Sequence, residues 1–557
     1  MDQGGVTAFI QDLVKDPNRS IIGANLQYEL EGLSSEGIEV HSRCIDTQIA
    51  EALINEEALS NSLENLCKRY LGGSKDESLL RDAARDYGFT DVKANLWKMP
   101  AKYVGPYGEY DAQAPLLIFQ KQLKMLEAEN LLPIFELESK LLPLLWQMRK
   151  RGIRMDLEKA HNISKELKMQ EDKLRQHMRV KYGTDVDEWS GGQLAMICDR
   201  LGIIYPRTAI GNPSFVADFI EGTNHPFLDD LSDLRELSKM RETFVDGWIL
   251  DNAVGEYIHP QWRQCASDEG GTRTGRMAAA NPNPQQVPAG KYRKTGKPNE
   301  FGKLIRSCFI PHIPGLKWAK YDYSAQEPRI LVHFAELCNC TGAKLAAMRY
   351  RTDRKFDIYQ LMVDAAGIDR RPAKDCYLGR CYGMGKKKMA YKLNKSLAEA
   401  EEILKKFDQG VPFVKEMAEL CMSAASRRGY VKTLLGRRRH FNQWEPANSW
   451  DLRERGVDCR PTTEEAAKIK WPGERLQRAN THKALNAVIQ GSAADMTKMA
   501  IIQCWEQHKI LPYMQVHDEL NFGVEQGLTD KLQETIETCV KMQVPIVSDA
   551  SIGEHWK

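Results

Sequence analysis

Two aspartates stand where short apolar runs end. In "KWAKYDYSAQEPRI" (317–330) an alternating, strand-like run closes on Asp322 and gives way to a helical pattern opening at Ser324. In "LPYMQVHDELNFGV" (511–524) two apolar runs flank His517, Asp518 and Glu519, the pattern of a hairpin with acids at its turn. A single acid at a strand end is ordinarily a cap or turn former. Two displayed alike are a donor set for hard divalent cations, and a pair of such ions about 4 Å apart clamps the attacking and leaving oxygens of a phosphoryl transfer. The sequence therefore predicts that the two strand tips meet across one sheet.

A third stretch supplies what those acids would act on. In "RRPAKDCYLGRCYGMG" (370–385), Arg370, Lys374, Leu378 and Tyr382 recur every fourth residue. On an α-helix they form one face about 18 Å long, which suits a nucleoside triphosphate. Arg370 and Lys374 lie at the N-terminal end, where the helix dipole also favours phosphate, and Tyr382 offers a ring on which a base can stack. Pro372 near the start, with Gly379, Gly383 and Gly385 after it, makes this a poor ordinary surface helix.

The elements that must position these residues follow from coarse periodicity. Residues 19–54 alternate short β-like runs with a helical segment, and 61–130 is mostly amphipathic helix around a Pro/Gly-rich connector, "KMPAKYVGPYGEYDA". Helical spacing runs from "IFELESKLLPLLWQMRKRG" to about residue 180 and again over 226–250, which predicts an arm. Strand patterns return near 257–266, 316–323 and 511–523, with a long helical insertion between the last two. The 557 residues, 42% hydrophobic, suffice for about three domains and exclude a disordered or disulfide-stapled chain. Thirteen scattered cysteines and no long apolar run predict a reduced, cytoplasmic setting without membrane contact. The "CNC" at 338–340 has no second Cys/His pair at zinc-ligand spacing nearby. Net charge is +2, but residues 1–130 hold 13 Lys/Arg against 21 Asp/Glu, so the basic excess lies beyond them. It gathers in runs at 291–297, 370–374, 385–388 and 436–440, expected to form a nucleic-acid face.

"DYSAQEPR", "RRPAKDCYLGRCYG" and "QVHDEL", in that order, resemble motifs A, B and C of the family A DNA polymerases, the group of bacterial DNA polymerase I and many bacteriophage replicases. "TRTGRMAAANPNPQQVP" (272–288), "TLLGRRRHF" (433–441), "NAVIQGSAAD" (486–495) and the closing "GEHW" extend the resemblance over about 131–557. It implies an α+β multidomain fold, a right hand with a helical thumb at 131–260, a palm split between 261–345 and 431–557, and fingers at 346–430. It implies that Asp322 and Asp518 bind two catalytic Mg²⁺ ions, with Mn²⁺ as a substitute, and that Arg370 and Lys374 hold the triphosphate of an incoming dNTP. Tyr382 would lie beside the templating position and Leu378 beside the sugar, where relatives most often have Phe or Tyr. Arg276 and Gln490 would probe the minor groove of primer-template DNA, and His517 would lie near the primer end. Glu327 would exclude the ribose 2′-hydroxyl, although Ser324-x-x-Glu327 also fits a capping box. The implied activity is template-directed DNA synthesis by a two-metal mechanism, in a phage replicase of the bacterial cytoplasm that works with helicase or other replisome proteins. A catalytically silent nucleic-acid-binding relative would be expected to lack an aspartate or the basic helix.

Residues 1–130 resemble a partial ribonuclease H-like α/β domain of 3′–5′ proofreading type. "GANLQYELEGL" (23–33) and "YGEYDA" (107–112) resemble its second and third motifs, so Glu29, Tyr107 and Asp111 match its site residues, with Glu29 standing where the family has Asp. No Asp-x-Glu triplet for the first motif occurs in 1–24. The expectation is a truncated domain with little or no proofreading, or one completed by a separate polypeptide.

Overall fold

The computed structural model describes residues 3–73, 77–266, 270–290, 299–393 and 395–557. The basic run at 291–297 lies outside the described residues.

The chain opens with the alternation of strand and helix that its periodicity predicts. β1 (Ser20–Gly23) and β2 (Arg43–Asp46) pair in parallel, Ser20 opposite Arg43, and α1 (Leu26–Ser35) makes the crossover that a parallel pair needs. Asp46 ends β2 and fastens two helix starts, accepting from the Leu26 and Gln48 backbone N–H groups, each at 2.8 Å. The Pro/Gly-rich stretch read as a connector is helical instead: α2 spans Ala101–Ala128 with Pro106 and Pro115 inside it. Packing overrides the local breakers, because Ala114, Ile118, Phe119, Gln122 and Leu126 bury one face of the helix.

α3 (Leu132–Arg151) buries Phe135, Leu141, Leu145 and Met148 along its length and packs on β2, α1 and the central helix described below. The arm begins after it. α4 (Leu157–Tyr182) starts on an Asp156 cap and runs beside residues 226–250. The pairs Ser164–Asp246, Glu171–Arg241 and Tyr182–Asp230 are successive rungs, so the two helical runs are antiparallel. The outer end of the arm has a small core of its own around Leu194, Phe227 and Leu231.

The centre is a four-stranded antiparallel sheet assembled from distant pieces of the chain. β3 (Lys317–Tyr323) leads into α5 (Gln326–Leu337), and an all-helical body that includes α6 (Arg370–Cys381) follows. β4 (Arg438–His440) and the long α7 (Ala484–His508) return the chain to the centre. α7 is buried on every side and packs on α3 and α5. β5 (Met514–Val516), β6 (Glu519–Val524) and β7 (Ser548–Gly553) complete the sheet in the order β5-β6-β3-β7. One continuous core joins Leu30 and Phe119 of the N-terminal unit to Trp318, Tyr321 and Phe522 of this sheet. Among the described residues no helix is long and apolar enough to cross a membrane.

Candidate active site

The sheet brings the two aspartates together. β5 and β6 form the predicted hairpin, and His517 and Asp518 make its turn, with His517 at φ 57°. Asp322 stands directly opposite Glu519 of β6 on one side and Asp549 of β7 on the other. Residues paired in this way share a face, so three carboxylates line up across three strands with Asp518 at their end. Burial, then the negative charges of Asp518, Glu519 and Asp549, push Asp322 up to about 7, while Lys320 opposes them.

Above this face lies a cleft of about 790 Å³, walled by Asp322, His517 and Asp518 on one side and by Lys374, Leu378 and Tyr382 of the α6 region on the other. Ala373, Cys376, Tyr377 and Cys381 are the buried side of α6, which turns the predicted face toward the cleft. Arg370 does not line it. Its guanidinium pairs with Asp357 at 2.5 Å and is mostly exposed.

Glu327 also enters the cleft, and the capping-box reading fails there. α5 begins after Ala325, which has left-handed backbone (φ 52°) and makes no side-chain cap, while the Ser324 hydroxyl donates to Asp549 at 2.5 Å. Glu327 instead pairs with Arg276 through one oxygen and accepts from the Tyr382 hydroxyl at 2.6 Å through the other. The Gln490 side chain hydrogen-bonds Tyr382 as well. Arg276, Glu327, Tyr382 and Gln490 are thus one polar group from four separated segments.

A strand-tip pair of acids thus shares one cleft with Lys374, Leu378 and Tyr382 of the α6 region and with Arg276 and Glu327. Residues 157–557 match the family described as DNA polymerase family A. The chain belongs to that family. A DNA-directed DNA polymerase of Pseudomonas phage M6 is 32% identical to this family A polymerase, over 99% of this chain and 85% of the phage protein. The DNA polymerase I of Synechocystis sp. is 28% identical over 96% of this chain, which spans 52% of that longer enzyme. The POL domain of Pol1 from M. smegmatis, in its complex with DNA primer-template and dNTP, shares the fold at a TM-score of 0.76 and 23% identity, covering 99% of this chain and 88% of that one. This family A polymerase is a DNA-directed DNA polymerase with the α+β architecture that its motifs predict.

Several residues of its cleft were not singled out individually by the sequence. Tyr359 lines the wall, and the cations of Arg370 and Lys374 stand 5.6 and 5.9 Å from its ring centre. Gln285 donates to the Gln515 side chain at 2.8 Å and so ties the segment after Arg276 to the strand leading into His517. Asp549 comes from the last strand, in a stretch without any motif. A groove of about 870 Å³ on the arm, beside Lys168 and Arg241, is roomier than the cleft but faces no comparable set of acids.

In the N-terminal unit the three matched residues also meet. Tyr107 hydrogen-bonds Asp111, and burial, then the charges of Asp46 and Asp111, push Glu29 up to about 7. All thirteen cysteines are free thiols, including Cys338 and Cys340 of the "CNC" stretch.

Proposed function

We propose that this polymerase adds deoxynucleotides to a primer 3′-hydroxyl under template direction by a two-metal mechanism, with Asp322 and Asp518 as the metal-binding carboxylates. The observation that carries the reading is the convergence, in one cleft, of this pair with Lys374, Leu378 and Tyr382. The donor set fits hard cations. Mg²⁺ is commonly held by one or two carboxylates and completes its octahedron with water and substrate phosphate, and Mn²⁺ takes the same oxygens. Among the described residues no group of three or more His, Cys, Asp or Glu side chains is placed to hold one metal ion. Asp322 and the three acids around it concentrate negative charge that a cation would relieve. When bound, the ions would lower the charge barrier to attack of the 3′-hydroxyl on the α-phosphate and stabilise the departing pyrophosphate.

The protein's own contribution is positioning. Lys374 would hold the triphosphate, joined by Arg370 once it leaves Asp357, and the Tyr382 ring would stack beside the templating base. Arg276 and Gln490 would read the primer-template minor groove, where A·T and G·C offer acceptors at similar places, so pairing is sensed without sequence. His517 would contact the primer end. The arm within 131–260 would serve as thumb, 346–430 as fingers, and 261–345 with 431–557 as palm.

The test is primer extension with and without Mg²⁺. Asp322→Ala and Asp518→Ala should each lose roughly 10²–10³-fold or more in rate. DNA affinity should survive, because it comes mainly from Lys/Arg contacts to phosphates. Extension by either variant near the wild-type rate sinks the assignment.

A further inference from the structure

Behind the cleft lies a closed set of four charges. Glu138 on α3 and Asp495 and Lys498 on α7 have fully buried side chains, and Arg437, just before β4, is 7% exposed. Arg437 bridges Glu138 and Asp495, the latter at 2.7 Å. Lys498 donates to Glu138 at 2.5 Å and to the Gln264 carbonyl at 2.7 Å. The Thr433 hydroxyl donates to the second Asp495 oxygen at 2.6 Å and accepts the Arg437 backbone N–H at 3.0 Å. Apolar residues of equal volume often replace such buried ionic sets without loss of stability, so stability is a weak reason for this one. Geometry is a better one.

The Arg437 guanidinium is the floor under a turn. A Cβ on Gly275 would sit 2.7 Å from Arg437 Nε and 2.9 Å from Cζ, and Gly275 has φ +83°, so only glycine fits over the group. On the α7 side, the Thr274 carbonyl lies 3.4 Å from where a Gly491 Cβ would be. The Thr272 hydroxyl closes the turn on the Arg276 carbonyl at 2.6 Å. The segment 272–276 is therefore seated between Arg437 and α7, and it ends in Arg276, which reaches Glu327 in the cleft.

We propose that Arg437, oriented by Glu138, Asp495 and Thr433, is a positioning residue that sets where Arg276 meets the primer-template, and with it the preference for a correctly paired primer end. The inference rests on the proposed role of Arg276 in minor-groove probing. A planar guanidinium is needed, because lysine would keep the charge but lose the flat surface under Gly275 and the fork on Asp495.

The experiment compares kcat/KM for extension from matched and mismatched primer ends in wild type, Arg276→Ala, Arg437→Lys, Gly275→Ala and the Arg276→Ala/Arg437→Lys double variant. Arg437→Lys and Gly275→Ala should each lower matched-end kcat/KM by roughly tenfold or more while mismatched ends lose less, since small displacements of a positioned group cost up to about 10²-fold. In the Arg276→Ala background Arg437→Lys should add less than about twofold, as expected when both act through one group. Gly275→Ala leaves all four charges in place and carries the test if Arg437→Lys does not fold. Arg276→Ala lowering the matched-to-mismatched ratio while Gly275→Ala leaves it intact would overturn the proposal, as would a double variant showing the full product of the single losses. If Arg276→Ala itself leaves the ratio unchanged, the reading of Arg276 falls, and the positioning role with it.

Discussion

Glu327 and Leu378 approach the cleft from different helices, and together they would define the space around the incoming sugar. Glu327 is held by Arg276 and Tyr382, so its carboxylate is a fixed wall. Glu327→Ala should raise ribonucleotide incorporation relative to deoxynucleotides by roughly tenfold, or about 1.4 kcal/mol. Glu327→Gln, which keeps the volume and loses the ion pair, should raise it far less; equal discrimination by wild type and Glu327→Ala would remove the steric role. Leu378 has neither ring nor hydroxyl, so Leu378→Tyr should gain acceptance of dideoxynucleotides while Leu378→Phe changes rate more than sugar choice. Matched use of dideoxynucleotides by wild type and the Tyr variant would contradict this. The capping-box spacing at Ser324 and Glu327 misled because both groups found partners far off in sequence, Asp549 and Arg276, that no local pattern records.

At the scale of elements, β4 joins the N-terminal unit to the centre. Arg439 pairs with Glu56 at 2.6 Å and Glu57 at 2.8 Å, Arg438 with Glu129, and the buried His440 ring lies 2.9 Å from both Glu56 and Glu129. Burial alone would lower the His440 pKa, but its bonds to the two glutamates prevail and raise it. Burial likewise acts to raise Glu56, yet His440 and Arg439 hold it below the ordinary range. A histidine raised on folding contributes stability that is complete below its unfolded value near 6.5 and is lost as pH rises through the folded value. The thermal midpoint should therefore fall as pH rises above about 6.5, and His440→Gln should flatten that slope while costing roughly 1–3 kcal/mol below it. An unchanged pH slope in the variant would show that the junction does not depend on the imidazolium. α2 teaches the same lesson about elements: Pro106 and Gly108 read as a break, but the packed half of the helix keeps the whole of it helical.

Among the described residues one principal core runs from Leu30 and Ile45 to Trp318 and Phe522, so the N-terminal unit is packed into the polymerase rather than tethered beside it. A single cooperative unfolding transition should therefore be followed equally by probes in both parts, with the arm's outer end, which has its own small core, exchanging amide protons faster. Separate transitions for the two parts would contradict the shared core. The expectation of little or no proofreading rests on Glu29, one methylene longer than the aspartate of the resemblance, a length that would displace a ligand by about 1 Å. The 557-residue chain should leave a mismatched primer 3′ end intact; its degradation, abolished by Asp111→Ala, would show that the unit is active.

What the sequence determined by itself was the list of reacting groups and the elements that carry them. Strand alternation places Asp322 within the last two residues of β3, the hairpin turns at Asp518, and Lys374, Leu378 and Tyr382 keep a helical spacing, all of which depend on neighbours within a few residues. Tertiary structure alone decided which groups face one another. Glu327 turned from a cap to a cleft wall, Arg370 was drawn to Asp357, Asp549 came in from the last strand, and Arg437 became the floor beneath Gly275. Those outcomes depend on contacts between residues from 13 to hundreds of positions apart, many made when strands from distant segments close one sheet and a buried helix brings Asp495 and Lys498 to Glu138 and Arg437, and local periodicity holds no record of them.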